Sequence, residues 1–516
     1  MRLYLKGHDY KYAVEQMLLT MFPEERPEYP EGKPAGDRLE IRLSRGPRYT
    51  TAGCSLWRDG QVFRGRAAAV LPPNAAPLEA DRVRQRLVKN AIYRAALKSG
   101  VKKPAWGALT GVRPGKLLAG LLNEGLSEQQ ALKAFIRDYD VSTARAALCL
   151  DTSRETLKAM AALGPRDICL YVGIPFCPTR CAYCSFVSQS VEKSMKLIAP
   201  FHQALRREIA ATAAQVKALG LRVVSVYMGG GTPTTLSAAQ LDELCAWLAA
   251  EFDLSALREY TVEAGRPDTI DRGKLEMMKA HGVGRISVNP QTFSDETLRR
   301  IGRAHTGADT VRAYELARSL GFDDVNMDLI AALPGETPEI FSETLDRVIE
   351  LNPESVTVHA LAIKRSSRLH EQLHVHAGSH SQVSADGAAE MIATARRRLT
   401  AAGWRPYYLY RQKYMAGNLE NVGYAKPGKA CLYNIGNMEE TASVLALGAG
   451  AITKWLYDRE ITAAARGCDV ESMRFANLQL RIERAPNVRN IEQYIARVDE
   501  MVGRKRALIL PGRDEA

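Results

Sequence analysis

The sequence predicts an α/β fold built on a parallel sheet. Two observations predict it. Between about residues 167 and 359, six short runs rich in Val, Ile and Tyr alternate with helix-length segments, and such alternation gives parallel strands joined by right-handed crossovers. On either side the alternation stops: strand-like and helical stretches segregate before it, and mostly helical patterns follow it. The expected architecture is a partial (β/α)6 barrel core over 161–376, an α+β accessory domain over 1–160, and a mostly helical domain over 377–516.

Taken in order, residues 1–75 hold one helix near 10–21 and strand-like pieces at 39–43 and 61–70, whereas 80–160 reads as helix with turns at Gly100, Gly107 and Gly125. The core runs are 168–173, 223–228, 260–263, 285–289, 325–330 and 355–359. β-Branched and aromatic residues suit buried strands. Helices are expected between them at 193–218, 238–251, 271–281, 295–319 and 337–350. Ser237, Ser294 and Thr337 supply N-terminal caps. After residue 377 come a long helix at 386–402, a strand-like 406–414, and helices to the end.

The chain of 516 residues is long enough for two or three domains. Lys6, His8 and Asp9 interrupt the N-terminus, so it lacks the apolar core of a signal peptide. No apolar run approaches the roughly 18 residues of a membrane span, and the expected location is the cytoplasm. Lys and Arg exceed Asp and Glu by 70 to 58, a net charge of +12, which favours anionic partners without choosing among them. Ten basic residues between Arg82 and Lys116 lie in a stretch poor in acids. A solvated helix face accounts for them, and the stacking-aromatic pattern of RNA modules is missing, which argues against nucleic acid.

Nine cysteines are too few and too scattered for a disulfide framework. Three of them, Cys177, Cys181 and Cys184, form a Cys-x3-Cys-x2-Cys loop after the first core run. Thiolates hold iron–sulfur clusters. Three close thiolates take three irons of a cubane and leave the fourth open to a ligand. A structural zinc site wants four ligands, and the nearest other thiol, Cys169, lies inside the strand. Position adds an independent argument, because sites in parallel β/α folds sit at the C-terminal strand ends. The cysteines follow the first run and Gly229-Gly-Gly-Thr-Pro-Thr234 follows the second. Glu263 closes the third, Asn289 and Gln291 follow the fourth, Asp328 lies in the fifth, and His359 ends the sixth.

The cysteine spacing resembles that of the radical S-adenosylmethionine (SAM) superfamily over about 168–360. Within it, the chain looks like the oxygen-independent coproporphyrinogen III dehydrogenase group. The carrying segments are Tyr171-Val-Gly-Ile-Pro-Phe-Cys177, the glycine run, Thr261-Val-Glu-Ala264, 284–293, Gly302-Arg-Ala-His305 and 326–335. Segments 106–116, 407–413 and 418–424 are similar to the HemZ branch of that group. The resemblance implies a 4Fe–4S cluster on Cys177, Cys181 and Cys184 and at least one SAM, leaving a second open. Tyr171, Gly229, Gly230, Gly231, Thr232, Glu263, Gln291, Arg303, Asp328 and Ile330 would meet SAM. Arg303 would pair with the methionine carboxylate, Glu263, Gln291 and Asp328 would hold the ribose, and Ile330 would pack on adenine.

The implied reaction turns two propionates of coproporphyrinogen III into vinyls, with a flavodoxin or ferredoxin as electron donor and an anionic tetrapyrrole as substrate. Tyr171 and Arg411 are the catalytic candidates. Arg411 and Lys413 share one strand face by period-two spacing and, with Lys364 and Arg365, are candidates for propionate binding. The chain departs from the dehydrogenase pattern at Phe186, in place of a fourth Cys, and at Gly173, in place of a His. A haem-binding chaperone, a radical methyltransferase and a porphyrin-opening enzyme therefore remain alternatives.

Overall fold

The structure, a computed structural model, describes residues 1–46, 48–71, 75, 77–184, 189–190, 194–363, 367, 369, 383–412, 415–457 and 482–509. The chain divides into two compact units, Met1–Leu150 and Asp151–Ala516.

In the first unit, β1 (Arg2–Lys6), β2 (Arg38–Arg45), β3 (Thr50–Arg58) and β4 (Gln61–Ala69) form one sheet in that order. β1 runs parallel to β2 and the other pairs are antiparallel. Side chains alternate across a strand. Leu39, Ile41 and Leu43 of β2 and Ala52, Cys54 and Leu56 of β3 accordingly join one core with residues of the helices Lys11–Met21 and Pro77–Lys98. β1 and β3 go beyond the pieces legible in sequence. The helical stretch expected over 80–160 is present as Pro77–Lys98, Pro114–Asn123, Glu128–Tyr139 and Thr143–Ala162.

The second unit is organised by an eleven-stranded sheet. All six expected core strands are there: β5 (Asp167–Ile174), β8 (Arg222–Gly230), β9 (Glu259–Glu263), β10 (Arg285–Ser287), β11 (Val325–Ala331) and β12 (Ser355–Ala360). They lie side by side and parallel. The short β6 (Phe176–Cys177) and β7 (Gln189–Ser190) pair separately. Most residues of β5 and β8 are buried, as expected of a parallel sheet covered on both faces.

The expected helix over 295–319 is two helices, Asp295–Arg300 and Gly307–Ser319. Ser294 and Thr306 each cap one of them through a side-chain oxygen. The interruption turns Arg303 inward, where it is buried.

Past residue 377 the helix Ala385–Ala401 appears as expected. The remainder is helical as expected at Leu432–Glu439, Ile491–Ala496 and Val498–Ile509, with strands between. β13 is Arg405–Tyr410, so the strand expected over 406–414 stops before Arg411. Four further strands follow: β14 (Asn421–Ala425), β15 (Ser443–Leu447), β16 (Ile452–Leu456) and β17 (Ile482–Pro486). β14 pairs antiparallel with β12, and β15 pairs parallel with β5. Sequence beyond 377 thus extends the core sheet at both edges, where unpaired strands would otherwise expose their backbone.

Candidate active site

The cysteine loop is fastened to the sheet by its neighbours. Gly231 N donates to Ile174 O (2.7 Å) and Thr232 N to Phe176 O (2.7 Å), drawing the end of β8 against the residues before Cys177. Glycine is required there. A Cβ on Gly231 would stand 2.5 Å from Phe176 O, and one on Gly229 would stand 2.8 Å from the Glu263 carboxyl. Thr232 Oγ1 lies 3.6 Å from Cys177 Sγ. At the other end of the loop, Ala182 N donates to Ile301 O (3.0 Å) and Cys184 N to Cys181 O (3.2 Å). Cys181 is buried, Cys177 and Cys184 are half-buried, and none of the three is in a disulfide. Cys169 is enclosed within β5. Among the described residues no three His, Cys, Asp or Glu side chains are grouped as a site for one metal ion.

The rim residues do come together. Tyr227 Oη donates to Glu263 Oε1 (2.6 Å). Burial pushes the Glu263 carboxyl up to about 7 against that hydrogen bond, and the charge of Asp328 adds to the rise. Asp328 is fixed by two amides, Asn289 Nδ2 to Oδ2 and Asn326 Nδ2 to Oδ1, both at 2.8 Å. His359 Nε2 lies 4.0 Å from Asp328 Oδ2. Gln291 adopts a left-handed φ of 68°, uncommon for a non-glycine residue. Its backbone is clamped to β11 through Gln291 N to Asp328 O and Ile330 N to Gln291 O. Ile330 is buried beside it. Tyr171 stacks on Tyr227 and Tyr433, with ring centroids 6.3 and 5.7 Å away. Burial raises its phenol.

Arg303 Nη1 donates to the carbonyls of Gly265 and Asn289 (both 3.1 Å), and Nη2 to Tyr183 Oη (3.2 Å). Its Nε is buried without a partner. No carboxylate among the described residues forms an ion pair with it, although only 8% of the residue is exposed. The nearest opposing charge, Asp268, is already forked to Arg266, and a buried cation with no ion pair of its own is costly, so this environment fits an anionic ligand.

Three residues of this site were not legible as such. Arg266 pairs bidentately with Asp268 and also reaches Thr179 Oγ1 and Cys181 Sγ. Tyr183 holds Arg303 from inside the cysteine motif. Asn326 orients Asp328. The rim rule alone points at Arg266, which lies just past the end of β9. Arg411 is buried one residue beyond β13, and its Nη2 donates to Asn418 O (3.1 Å). Its pairing with Lys413 on a strand face does not hold for Arg411, because the strand has ended. Lys413, Lys364, Arg365 and Phe186 lie outside the described residues.

Comparison with known proteins decides the family. Residues 171–348 match the model of the radical SAM superfamily. The chain is 39% identical over 358 residues to the oxygen-independent coproporphyrinogen-III oxidase-like protein HemZ of Bacillus subtilis, covering 69% of this chain and 70% of that protein. The chain belongs to the radical SAM superfamily, in its HemZ/HemN-like group. It is also 32% identical over 284 residues to the haem chaperone HemW of Escherichia coli, covering 55% of this chain and 68% of that protein. The solved structure of coproporphyrinogen III oxidase (HemN) from Escherichia coli superposes with a TM-score of 0.50 at 25% identity, covering 67% of this chain and 72% of that one.

Members of this superfamily bind a 4Fe–4S cluster and SAM. Three cysteines outside any disulfide on one loop and a buried arginine that makes no ion pair within the described residues fit those groups. No helix among the described residues is long and apolar enough to cross a membrane.

Proposed function

We propose that the chain carries out oxygen-independent oxidative decarboxylation of propionate groups on coproporphyrinogen III. Cys177, Cys181 and Cys184 would hold the cluster, and Arg303, Glu263, Gln291 and Asp328 the SAM. Once bound there, the cluster and SAM would supply the radical chemistry needed to remove a hydrogen atom from a propionate. The propionate then releases carbon dioxide and passes one electron to an acceptor, leaving a vinyl group. The protein's own part is placement. The two amides hold Asp328 in one orientation, and Tyr227 holds Glu263 through the hydrogen bond it donates to Oε1. Reducing electrons would come from a flavodoxin or ferredoxin. Arg411 is the residue we assign to a propionate carboxylate, in keeping with guanidinium recognition of such groups.

The observation that carries this reading is the reach of the similarity to HemZ. It runs over 358 residues, well past the core at 171–348, so it includes chain outside the part common to the superfamily. A second reading, a haem chaperone, is favoured by the HemW match, which covers 68% of that protein. An anaerobic assay separates them. With reductant, SAM and coproporphyrinogen III, the enzyme reading expects protoporphyrinogen, carbon dioxide and 5′-deoxyadenosine together. Tight haem binding with no substrate-dependent 5′-deoxyadenosine would replace it with the chaperone.

A further inference from the structure

We propose that Arg266 is a positioning residue for the cluster, donating an N–H···S bond from Nη1 to Cys181 and so making the cluster easier to reduce. Only 3% of Arg266 is exposed. Nε and Nη2 each stand 2.9 Å from one oxygen of Asp268, a bidentate fork that fixes the guanidinium plane. The remaining nitrogen, Nη1, lies 3.1 Å from Thr179 Oγ1 and 3.7 Å from Cys181 Sγ. The carboxylate thus takes one edge of the cation and turns the other toward the sulfur. Asp268 is itself well placed to stay charged. Burial pushes its carboxyl up, but the Arg266 fork and the neighbouring His305, whose Nδ1 lies 3.8 Å from Oδ1, outweigh it and hold the group below the usual carboxylate range.

Hydrogen bonds to ligating sulfurs and nearby charge set the reduction potential of iron–sulfur clusters, and outer partners of metal ligands tune the metal they surround. In a buried site a fixed cation acts on the thiolate with little screening. The inference rests on the cluster, which the family supplies. It does not rest on the tetrapyrrole reading, so the two fail separately.

The test uses reconstituted full-length protein. With guanidino-15N-arginine incorporated, pulsed electron paramagnetic resonance of the reduced cluster should detect a 15N coupling that disappears in Arg266→Lys. An anaerobic redox titration should place the midpoint of Arg266→Gln at a more negative potential than the parent at equal iron content. No coupling in the parent, a coupling that survives in Arg266→Lys, or an unchanged midpoint in iron-replete Arg266→Gln would each overturn the proposal. Should Arg266→Gln hold no iron, the coupling experiment decides.

Discussion

Arg303 is a buried cation that pairs with carbonyls and a phenol; the Asp268 carboxylate acts on it only from beyond ion-pair distance and is itself forked to Arg266. Its charge is therefore available to an anion. Arg303→Ala should leave the iron content unchanged and weaken SAM binding about tenfold or more, since a hydrogen bond to a charged group is worth roughly 1.5–3 kcal/mol. Anaerobic equilibrium dialysis measures it, and equal affinity in a folded, iron-replete variant would remove Arg303 from the site. Glu336 gives a stability prediction. It is 2% exposed, accepts from Thr292 (2.6 Å) and leaves Oε2 without a partner. Burial pushes its carboxyl from 4.5 up to about 7. The unfolded chain releases this proton first. The stability tied to the neutral acid is therefore present below about pH 4.5 and is lost as pH rises to about 7. At about 1.36 kcal/mol per unit the loss is on the order of 3 kcal/mol. Glu336→Gln keeps an acceptor for Thr292 without titrating, so its urea midpoint at pH 8 should exceed the parent's and the gap should close at pH 4.5. Much of this scale was legible. Glu263, Gln291, Arg303 and Asp328 stand out because motif and rim position agree. Glu336 and Arg266 did not, because a lone acid or arginine in a loop looks like a surface charge until its burial is known.

At the scale of elements, the glycine run and the cysteine loop form one unit. A Cβ on Gly231 would meet backbone at 2.5 Å from Phe176 O and 2.9 Å from Ile174 O, and backbone yields less readily than a side chain. Gly231→Ala should push the end of β8 away from the strand that delivers Cys177, giving protein that folds but reconstitutes with less than half the parent's iron. Iron and sulfide analysis checks it, and full iron content would show that the loop tolerates the shift. The six parallel strands were readable because Val, Ile and Tyr concentrate in short runs there. β15 was not. Ser443-Val-Leu-Ala-Leu447 would sit equally well in a helix, and its strand state comes from pairing with β5, more than 250 positions earlier. β14, with Gly423 at its centre, owes its state to β12 and β13 in the same way. Local propensity does not carry such non-local pairing. The break between the helices Asp295–Arg300 and Gly307–Ser319 was equally hidden, since apolar periodicity continues on both sides of it.

At the scale of the whole molecule, the C-terminal helix Val498–Ile509 is tied to the core by a charge network that sequence patterning concealed. Lys505 looks like one more polar position on an amphipathic helix, yet its side chain and that of Glu208 are both 0% exposed. Lys505 Nζ donates to Glu208 Oε1 (2.6 Å), Ala446 O (2.8 Å) and Thr212 Oγ1 (3.4 Å). Glu208 also accepts from Asn487 Nδ2 (2.8 Å), Gly448 N (2.7 Å) and Tyr494 Oη (2.5 Å). The helix Ile198–Ala218, the end of β15 and three separate C-terminal residues thus meet on one carboxylate. Removing one partner of a buried pair costs roughly 3–5 kcal/mol, because the other charge is left without compensation, whereas replacing both with apolar groups is often neutral. Lys505→Ala should therefore destabilise by roughly that amount. The double variant Lys505→Met with Glu208→Leu leaves no buried charge, but it orphans the Asn487, Gly448 and Tyr494 donors. Its cost should fall short of the sum of the two single changes, giving a coupling well above 1 kcal/mol in a double-mutant cycle. Chemical denaturation of the parent, Lys505→Met, Glu208→Leu and the double variant measures the cycle. Additive costs would mean that Lys505 and Glu208 act as two independent polar contacts, and the charge pairing would then contribute nothing of its own to holding the C-terminal helix.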